Sequence, residues 1–547
     1  MRLLKPLFLS AFLAVLLTNC GSAPIISTPI ENIDTTPLKE NELTDLEKKT
    51  WGHLDLVKDT IPGMSVDRAY AEILNGRTGK SVVVAVIDSG IDIEHEDLDG
   101  VVWTNTKEIP GNNKDDDKNG YVDDVHGWNF LGDAYGEQME LTRILVNGDK
   151  NHPDYERAQQ EYIEEYNKYS QLSNQYNNYK TNNEQFLKQL AFADEAISKH
   201  LGRKDYTAQD INAIKTEQQS LLQSVEFMRY VYSLGMESPA AAKKIINKEL
   251  EEINEGLEEF NDRLNIHLNK NFKAKKTGDN KDDLTDLGYG NSNILPVKKN
   301  ESHGTHVAGI IAAERNNGKG VKGVANNVKI MSLRAIPNGD EYDKDIALAI
   351  RYAVDNGAKI INGSFGKSYS PKSDWVRDAI AYAGKNDVVF VHAAGNDSKN
   401  IDVEPNYPDD NVNNGPEVSD SYITVGALSP KYGSEMVASF SNYGKKNVDI
   451  FAPGSAIYST VPENKYKAYG GTSMAAPAVA GIAALIRSYF PKLSAAQVKQ
   501  VILDSGLPIK AKVVVGGNSG DVRSFSEISK TGKIANAYNA LVLASRL

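Results

Sequence analysis

The sequence predicts an α/β protein with a mostly parallel central sheet, and three observations carry that prediction. First, continuous apolar runs rich in β-branched residues recur along the chain, as is typical of strands buried on both faces of a parallel sheet. Second, amphipathic segments of helical spacing lie between several of these runs. Third, three runs end in polar, glycine-rich turns, at the strand ends where such sheets bind ligands. The runs cover residues 81–90, 328–336, 358–366, 388–396 and 422–428.

The bulk composition fits a globular protein and argues against a nucleic-acid binder. The chain has 547 residues, of which 40% are hydrophobic and 24% are charged, and this length allows more than one domain. Its formal net charge is −12, whereas proteins that bind nucleic acid usually present a basic face. The basic cluster at 270–276 fits a solvated helix end. We therefore expect no nucleic-acid partner, and the composition leaves the oligomeric state open.

The N-terminus has the three parts of an export signal. Two basic residues precede an apolar run that is too short to span a bilayer comfortably. The segment Leu17–Cys20 resembles a bacterial lipobox, which implies cleavage before Cys20 and diacylation of that residue. We expect a signal peptide at 1–19, a polar tether at 20–62, and an exported protein anchored in a membrane and facing the periplasm or the cell surface. Plain secretion is the alternative. Because Cys20 is the only cysteine, no disulfide forms within the chain.

Residues 137–289 differ in composition and predict an all-α insertion. Glycine is scarce there, and Glu, Gln, Asn, Lys and Tyr dominate. In two stretches tyrosines or leucines recur every three or four residues, which places one apolar stripe on each helix. Thr207 and Ser238 have the sequence context of helix N-caps. We expect at least three long helices in a bundle or coiled-coil hairpin, with the tyrosine stripe either packed between helices or exposed as a binding surface.

Three short motifs contain an aspartate, a histidine and a serine. They are VAVIDSGID with Asp88, SHGTHVAGI with His303 and GGTSMAAP with Ser473. Taken singly, the three residues fit a turn cap, a buried structural histidine and a helix N-cap. Together, and in the order Asp, His, Ser, they resemble the signatures of the subtilisin-like serine peptidases. The resemblance implies a subtilisin-like three-layer fold built from residues 63–136 and 290–547, with the helical insertion between the Asp and His motifs.

The resemblance also implies a role for each residue. Ser473 becomes the nucleophile that forms an acyl-enzyme, and His303 the base that activates it and later the acid that protonates the leaving amine. Asp88 holds the imidazole in the required tautomer. Asn396 and the backbone N–H of Ser473 stabilise the oxyanion. The second histidine of its motif, His306, is the competing choice of base, but the resemblance assigns that role to the first.

Two further segments are implied to form the walls of a peptide-binding cleft. One pairs with the substrate backbone as an added strand, and the other faces it across the P1 pocket. Small residues on the second wall leave room for an apolar or aromatic P1 side chain. Pro477 is expected in the first turn of the helix that follows the serine, where a missing N–H matters least. The wall residues are Ser364, Phe365 and Gly366 on one side and Ala393, Ala394 and Gly395 on the other.

An acidic loop with the spacing D-x-D-x-N-G-Y-x-D lies between the Asp motif and the insertion. Alternating oxygen ligands, a turn-making glycine and a backbone carbonyl at position seven resemble an EF-hand-type loop. At position twelve, where a bidentate acid is expected, the chain has His126, so Asp124 or water completes the shell. A plain acidic turn is the alternative, and residues 278–291 form a second acidic stretch. The predicted ligands of a structural calcium ion are Asp115, Asp117, Asn119, Tyr121 and Asp123.

Two other functions compete with that of an endopeptidase acting on proteins or peptides. The first is a catalytically silent lipoprotein whose helical insertion is a binding or scaffold module. The presence of all three motif residues and Asn396 favours an active enzyme. The second is a serine esterase of the α/β-hydrolase type, which needs a G-x-S-x-G turn with the serine ahead of the histidine, and the sequence has neither. In an active enzyme the insertion is placed to gate or select substrates beside the cleft, although simple structural decoration is an alternative.

Overall fold

The structure is a computed structural model that describes residues 25, 27–31, 33–273 and 275–547. The predicted signal peptide, Cys20 and the first residues of the predicted tether lie outside the described residues. Within the described ranges, no helix is both long enough and apolar enough to cross a bilayer.

Thirteen strands occur in the described part of the chain, and nine of them form one central sheet. The strands are Val82–Asp88 (β1), Gly127–Asn129 (β2), Val328–Arg334 (β3), Ile360–Gly363 (β4), Val389–Ala393 (β5), Tyr422–Leu428 (β6), Ile450–Pro453 (β7), Ile457–Val461 (β8), Lys465–Tyr469 (β9), Leu507–Pro508 (β10), Lys512–Val514 (β11), Val522–Ser524 (β12) and Lys533–Ile534 (β13). The sheet order is β10-β13-β7-β6-β5-β4-β1-β3-β2, and β8–β9 and β11–β12 form separate pairs. Within the large sheet only the edge pair β10–β13 is antiparallel.

The helices of the described residues surround this sheet or extend from it. They are Asp45–Thr50 (α1), Leu56–Asp59 (α2), Val66–Ala69 (α3), Glu140–Asn147 (α4), Tyr155–Leu201 (α5), Ala208–Ala213 (α6), Gln219–Ser233 (α7), Pro239–Asp262 (α8), His303–Ala312 (α9), Asp343–Asp355 (α10), Ser373–Lys385 (α11), Thr472–Tyr489 (α12), Ala495–Ser505 (α13) and Ala537–Ala544 (α14). Short 3-10 and π segments adjoin several of them.

The sheet has a hydrophobic core on each face. Along β1, Val84 and Val86 point into one core and Ala85 and Ile87 into the other, because successive side chains of a strand point to opposite faces. Helices α9 and α12 pack on the first face, and α10 and α11 pack on the second. These three layers around a mostly parallel sheet confirm the predicted α/β fold class.

The carboxyl ends of the central strands bring distant parts of the sequence together. β1 ends at Asp88, and β4 and β5 lead directly into 364–366 and 394–396. On the face that carries α9 and α12, those helices begin at His303 and immediately before Ser473. The topology therefore gathers the three motifs and both predicted cleft walls at one edge of the sheet, where parallel sheets place their ligands.

Helices α4 to α8 lie between β2 and α9, in the predicted insertion. The 47-residue helix α5 runs antiparallel to α8, since Asn183 contacts Glu249 and Tyr176 packs edge-on against Phe260 at 4.9 Å between ring centroids. The tyrosine stripe of α5 is only partly covered: Tyr169 is buried, whereas others of the series remain nearly half exposed. A small separate core joins α5 to α7 and contains Leu190, Ala193, Ile197, Val225 and Met228.

The prediction of a free tether at 20–62 is wrong for its described part. Ile30, Trp51 and Ile61 are buried in the main core. The indole N–H of Trp51 donates to the carbonyl of Ser455 at 3.1 Å. The backbone N–H of Ile30 donates to Asn539 at 2.7 Å. The segment is polar on average, but a few large apolar side chains dock it onto the sheet domain, and burying each contributes about 1.5–3 kcal/mol.

Candidate active site

The end of β1 places Asp88 against the first residue of α9. Its Oδ1 lies 2.8 Å from Nδ1 of His303 and also accepts the N–H of Ser89 at 2.8 Å. The Asp88 side chain is only 2% exposed, whereas 40% of the His303 side chain faces solvent. Burial lowers the pKa of His303, but the charge and hydrogen bond of Asp88 raise it by more, and the net pKa lies above its ordinary value. The pair therefore has a shielded carboxylate and an imidazole accessible from the cleft.

The second histidine of the motif has a different environment. His306 is fully buried, and its Nε2 lies 3.0 Å from the carbonyls of both Ile457 and Lys467. Its ring packs on Tyr469 with 4.6 Å between centroids. Burial lowers the pKa of His306 to about 3. A neutral, inaccessible ring that holds the β8–β9 hairpin fits a structural role.

The serine lies in the first turn of α12, with Thr472 as the first helical residue. Its Oγ donates to the carbonyl of Ser364 at 3.2 Å. The prediction that Pro477 occupies the first turn is wrong, because it is the sixth residue of the helix. An interior proline removes the N–H that would pair with the carbonyl four residues earlier, here that of Ser473. The hydroxyl of Ser364 donates to that carbonyl at 2.9 Å instead, so a cleft-wall residue satisfies the group that the proline leaves unpaired.

Two hydrogen-bond donors converge beside the serine. The Oδ1 atom of Asn396 accepts both the N–H and the hydroxyl of Thr472, at 2.8 and 3.0 Å, which fixes the amide and leaves Nδ2 without an acceptor among the residues that the structure describes. The N–H of Ser473 lies at a helix N-terminus, where no intrahelical acceptor exists. A Cβ atom built on Gly471 would lie 3.5 Å from Asn396 Nδ2 and 3.6 Å from Ser473 N. Because residue 471 is glycine, the point that both donors can reach stays open for an anionic oxygen.

Comparison with known proteins identifies the family of this chain. The family model described as the subtilase family, Peptidase_S8, matches residues 79–525. The chain belongs to the subtilase family. A thermophilic serine proteinase of Bacillus sp. (strain AK1) is 44% identical over 188 residues, which are 34% of this chain and 43% of that protein. Subtilisin DY of Bacillus licheniformis is 39% identical over 198 residues, which are 36% of this chain and 67% of that protein.

A further relative differs more in length from this subtilase. The cell wall-associated protease of Bacillus subtilis (strain 168) is 38% identical over 239 residues, which are 43% of this chain and 24% of that protein. The subtilase thus spans less than half the length of two of these three relatives.

The predicted cleft walls of the subtilase meet at a residue that the sequence did not single out. A Cβ atom on Gly366 would lie 2.9 Å from the amide nitrogen of Asn406, and one on Gly395 would lie 3.2 Å from it. The Nδ2 atom of Asn406 donates to the carbonyl of Ala394 at 3.2 Å. Asn406 therefore lies between the two predicted walls. No local motif marks it, because its position depends on a loop that folds back from outside both walls.

The acidic loop brings together part of the predicted ligand set and one residue outside it. Carboxylate oxygens of Asp115, Asp117 and Glu108 lie within 4.8 Å of one another. Glu108 also accepts the backbone N–H groups of Asp116 and Asp117 at 2.9 and 3.1 Å. Glu108 lies seven residues before Asp115 and outside the loop pattern, so the spacing of the loop residues did not indicate it.

The remaining residues of the loop have other partners. The side-chain N–H of Asn119 donates to the carboxylate of Asp124, within the same loop, at 2.8 Å. The ring of Tyr121 is buried against Trp128, with 5.0 Å between centroids. The carboxylate of Asp123 faces away from the acidic group and accepts the backbone N–H of Asn112 and of its neighbour, at 3.2 and 2.9 Å. The Asp124 carboxylate accepts hydrogen bonds from Asn105, Asn119 and Tyr352, whereas that of Glu108 lies with those of Asp115 and Asp117, so Glu108 is the better placed candidate for the missing ligand.

Proposed function

We propose that this subtilase is a serine endopeptidase that hydrolyses peptide bonds of protein or peptide substrates through Asp88, His303 and Ser473. The observation that carries the proposal is the approach of Asn396 Nδ2 and Ser473 N to one open point, together with an imidazole whose Nδ1 lies 2.8 Å from a buried carboxylate. A serine hydroxyl needs both a base and an oxyanion site to attack an amide. We assign His303 as that base and the two nitrogens, Asn396 Nδ2 and Ser473 N, as that oxyanion site.

The reaction follows from these contacts. A substrate that adds a strand to the wall at Ser364 brings its P1 N–H to the carbonyl that now accepts the Ser473 hydroxyl. The hydroxyl is released from that acceptor and transfers its proton to His303 as Oγ attacks the P1 carbonyl. The oxyanion accepts hydrogen bonds from Asn396 and the backbone, and one such donor contributes about 3–4 kcal/mol to transition-state stability. His303 then protonates the leaving amine, and water repeats the sequence on the acyl-enzyme.

Pre-steady-state kinetics test the proposal. With an activated peptide ester, acylation outpaces deacylation, so we expect a burst of about one alcohol product per protein molecule before the slow phase. Absence of both a burst and turnover on peptide esters and casein would overturn the peptidase proposal and favour a silent binding protein.

Replacing Asp88 with Asn tests the pH dependence. The neutral imidazole is the base, so kcat/KM rises with pH through the pKa of His303, which the Asp88 carboxylate holds above its ordinary value. Without that charge burial lowers the pKa, and we expect the acid limb of the profile to move to lower pH while kcat falls about 10⁴-fold. The measurement is kcat/KM against pH for both proteins. An acid limb that stays in place or moves to higher pH would contradict the assignment.

We also propose a structural calcium ion at Glu108, Asp115 and Asp117. The site offers only oxygen donors, within a span that suits a cation with six to eight oxygen ligands. Asn119 and the Tyr121 carbonyl remain in the same loop as further candidates. Bound calcium stabilises only the folded chain, and in the absence of disulfides such an ion adds a cross-link between residue 108 and the loop.

Thermal unfolding with calcium and with a chelator tests this site. At a hundredfold excess over its Kd, calcium is expected to raise the free energy of unfolding by about 2.7 kcal/mol. Glu108→Gln, which keeps the size of the side chain, should abolish most of that increase. Asp283→Asn, in the second acidic stretch, should leave it unchanged. An equal increase in wild type and Glu108→Gln, or none in wild type, would rule out the site.

We propose that the protein is exported and that Cys20 carries a lipid anchor. The support is the leader with its lipobox-like end and the similarity to the cell wall-associated protease of Bacillus subtilis. We further propose that α8 restricts access to the cleft. Asn300, three residues before His303, donates to Glu258 at 2.9 Å, and Lys467 on β9 lies 3.8 Å from Glu255. Helix α8 thus borders both the histidine loop and the strand that precedes the serine.

A further inference from the structure

A groove opens at the end of the helical insertion that points away from the sheet domain. Because α5 and α8 run antiparallel, the last turns of α5 lie beside the first turns of α8. Near the other end of α5, Arg157 donates to the carbonyl of Ser368 at 2.9 Å, which places that end against the sheet domain. The groove between the outer ends of the two helices has a volume of about 1030 Å³.

The floor of this groove is apolar. Leu190 is buried, Leu187 and Pro239 are partly exposed, and Ala191 and Ala240 are exposed. The two alanines leave room for another chain to approach the helices closely. Exposed apolar surface with a polar rim is typical of an interaction site, and a groove between two helices suits the apolar face of a third.

The rim of the groove is basic. Five cationic side chains line it, but only two carboxylates, those of Asp194 and Glu195. Arg203 forms an ion pair with Asp210 at 2.6 Å, and Asp194 accepts the hydroxyl of Tyr206 at 2.6 Å. The four lysines form no ion pair with any residue that the structure describes. These lysines are Lys188, Lys199, Lys204 and Lys243.

An exposed aromatic ring lies in the same helical row as two of these lysines. Phe192 follows Lys188 by four residues and precedes Lys199 by seven, so the three side chains share one face of α5. The Phe192 side chain is 62% exposed. Solubility alone explains a row of lysines, but it gives no reason to leave a phenyl ring uncovered among them. The row therefore fits a partner that is both acidic and apolar.

Helix α8 is divided by charge along its length. Residues 239–248 contain three lysines and no acidic residue, whereas residues 249–262 contain seven acidic residues and no lysine or arginine. The acidic half borders the histidine loop, where Glu258 accepts a hydrogen bond from Asn300 at 2.9 Å. An anionic segment is thus attracted to the outer end of the helix and repelled by the half beside the active site.

The concave shape favours a peptide segment over a membrane surface. A bilayer is flat on this scale, so its headgroups would contact the rim and not the apolar floor. A peptide helix is about 10 Å wide and can enter a groove between two helices. The groove follows α5 from Leu187 to Lys199, a distance of about 18 Å that corresponds to between three and four helical turns.

The groove is too far from the active site for a short peptide to occupy both. Between Lys243, at the groove, and Glu258, at the histidine loop, helix α8 rises about 22 Å. An extended chain spans at most about 3.5 Å per residue. At least about seven residues must therefore separate a docked segment from the cleaved bond.

We propose that the groove between the outer ends of α5 and α8 binds an acidic, amphipathic segment of a protein substrate. The inference rests on the proposed peptidase function and adds to it a second site of substrate contact. A segment held in the groove raises the local concentration of its neighbouring chain at the active site. Short peptides cannot reach the groove and are cleaved without this selection.

Binding is measured first, on full-length Ser473→Ala protein that cannot cleave the probe. The probe is a fluorescein-labelled peptide of about 15 residues in which Leu recurs every three or four residues and Glu fills the other positions. We expect fluorescence anisotropy to show saturable binding that weakens as salt screens the lysines. Adding Lys188→Glu and Lys243→Glu should weaken it at least tenfold. Adding Lys215→Glu and Lys244→Glu, at exposed insertion lysines outside the groove, is the matched control and should change it less than twofold.

Cleavage is measured next, on the active protein and the same two pairs of substitutions. The substrate joins the acidic helix to a cleavable peptide through a Gly/Ser linker of about 20 residues, which spans about 25 Å on average. We expect kcat/KM to exceed that of the peptide without the helix about tenfold or more. A three-residue linker, or Lys188→Glu with Lys243→Glu, should abolish the gain. A short peptide p-nitroanilide should be cleaved equally by all of these proteins.

The outcomes separate this inference from the peptidase proposal. If short peptides are cleaved but the acidic helix does not bind, or binds equally to both pairs of variants, the inference is wrong and the peptidase function stands. Binding without a gain in cleavage would overturn the assignment to substrates. Phosphatidylglycerol vesicles that bind the protein through Lys188 and Lys243, without peptide binding, would assign the groove to a membrane instead. If the ester burst and all cleavage are absent, the peptidase function itself fails.

Discussion

Replacing Ser473 with Ala is expected to lower kcat on peptide substrates by about 10⁶-fold, the size of effect that loss of the triad serine has in subtilisin. The methyl group cannot form the acyl-enzyme, and the residual rate comes only from substrate binding and the oxyanion donors Asn396 and Ser473 N, the second of which the alanine retains. Because His303 and Asp88 form their hydrogen bond without the serine, the variant should fold normally. The measurement is single-turnover and steady-state hydrolysis of a peptide p-nitroanilide.

The matched control is Ser526→Ala, which removes an exposed hydroxyl far from the cleft in the sequence. It should retain full activity. If both variants unfold at the same midpoint temperature as the wild type, the loss of activity in Ser473→Ala comes from the missing hydroxyl and not from misfolding. A Ser473→Ala protein that keeps even a hundredth of the wild-type rate would remove this residue from the mechanism.

Replacing Arg334 with Leu is expected to lower the free energy of unfolding by about 3–5 kcal/mol. The guanidinium is completely buried at the end of β3. It donates to the carbonyl of Ser89, next to Asp88, at 2.8 Å, and to Glu301, two residues before His303, at 3.0 Å. Leucine leaves the Glu301 carboxylate buried without its partner. Urea unfolding at neutral pH gives the change.

Arg351→Leu is the control for this substitution, because Arg351 pairs with Asp378 on an exposed surface. Exposed ion pairs contribute about 0–1 kcal/mol, so the urea midpoint of Arg351→Leu should be close to that of the wild type. Similar losses in the two variants would show that the buried arginine has no special role. Because Arg334 connects the loops that carry Asp88 and His303, kcat should also fall in the folded Arg334→Leu protein, while Arg351→Leu keeps its activity.

The fold was predictable because its signals are local. Each central strand is a continuous apolar run, and β1 and β6 coincide closely with the runs seen at 81–90 and 422–428. Motifs around Asp88 and His303 lie at the end of a strand and the start of a helix, where topology alone makes them neighbours. The α/β class and the grouping of the motifs at one sheet edge therefore followed from sequence patterns.

The features that the sequence did not predict depend on contacts between distant segments. Ile30 anchors the supposed tether through Asn539, 509 residues away. Glu108 joins the acidic loop from outside its spacing pattern, and Asn406 reaches the two predicted cleft walls from a separate loop. Average polarity and motif spacing contain no information about such pairings.

Pro477 illustrates how a local rule fails when tertiary contacts compensate. Proline favours the first turn of a helix because its missing N–H is harmless there. Here the hydroxyl of Ser364 satisfies the carbonyl of Ser473 that the proline leaves free, so the proline sits within the helix and the proposed nucleophile is tied to the predicted substrate-binding wall. The rule failed at the site where the structure has a functional reason for the exception.

The central claim is that Ser473 is an activated nucleophile, and a covalent serine-directed probe tests it most directly. The native protein is treated with a fluorophosphonate, digested, and analysed by peptide mass spectrometry. We expect one adduct, on Ser473, whose formation is lost in the denatured protein and strongly slowed when His303 is replaced by Ala. No adduct on the native protein, or labelling that persists unchanged in Ser473→Ala, would contradict the claim.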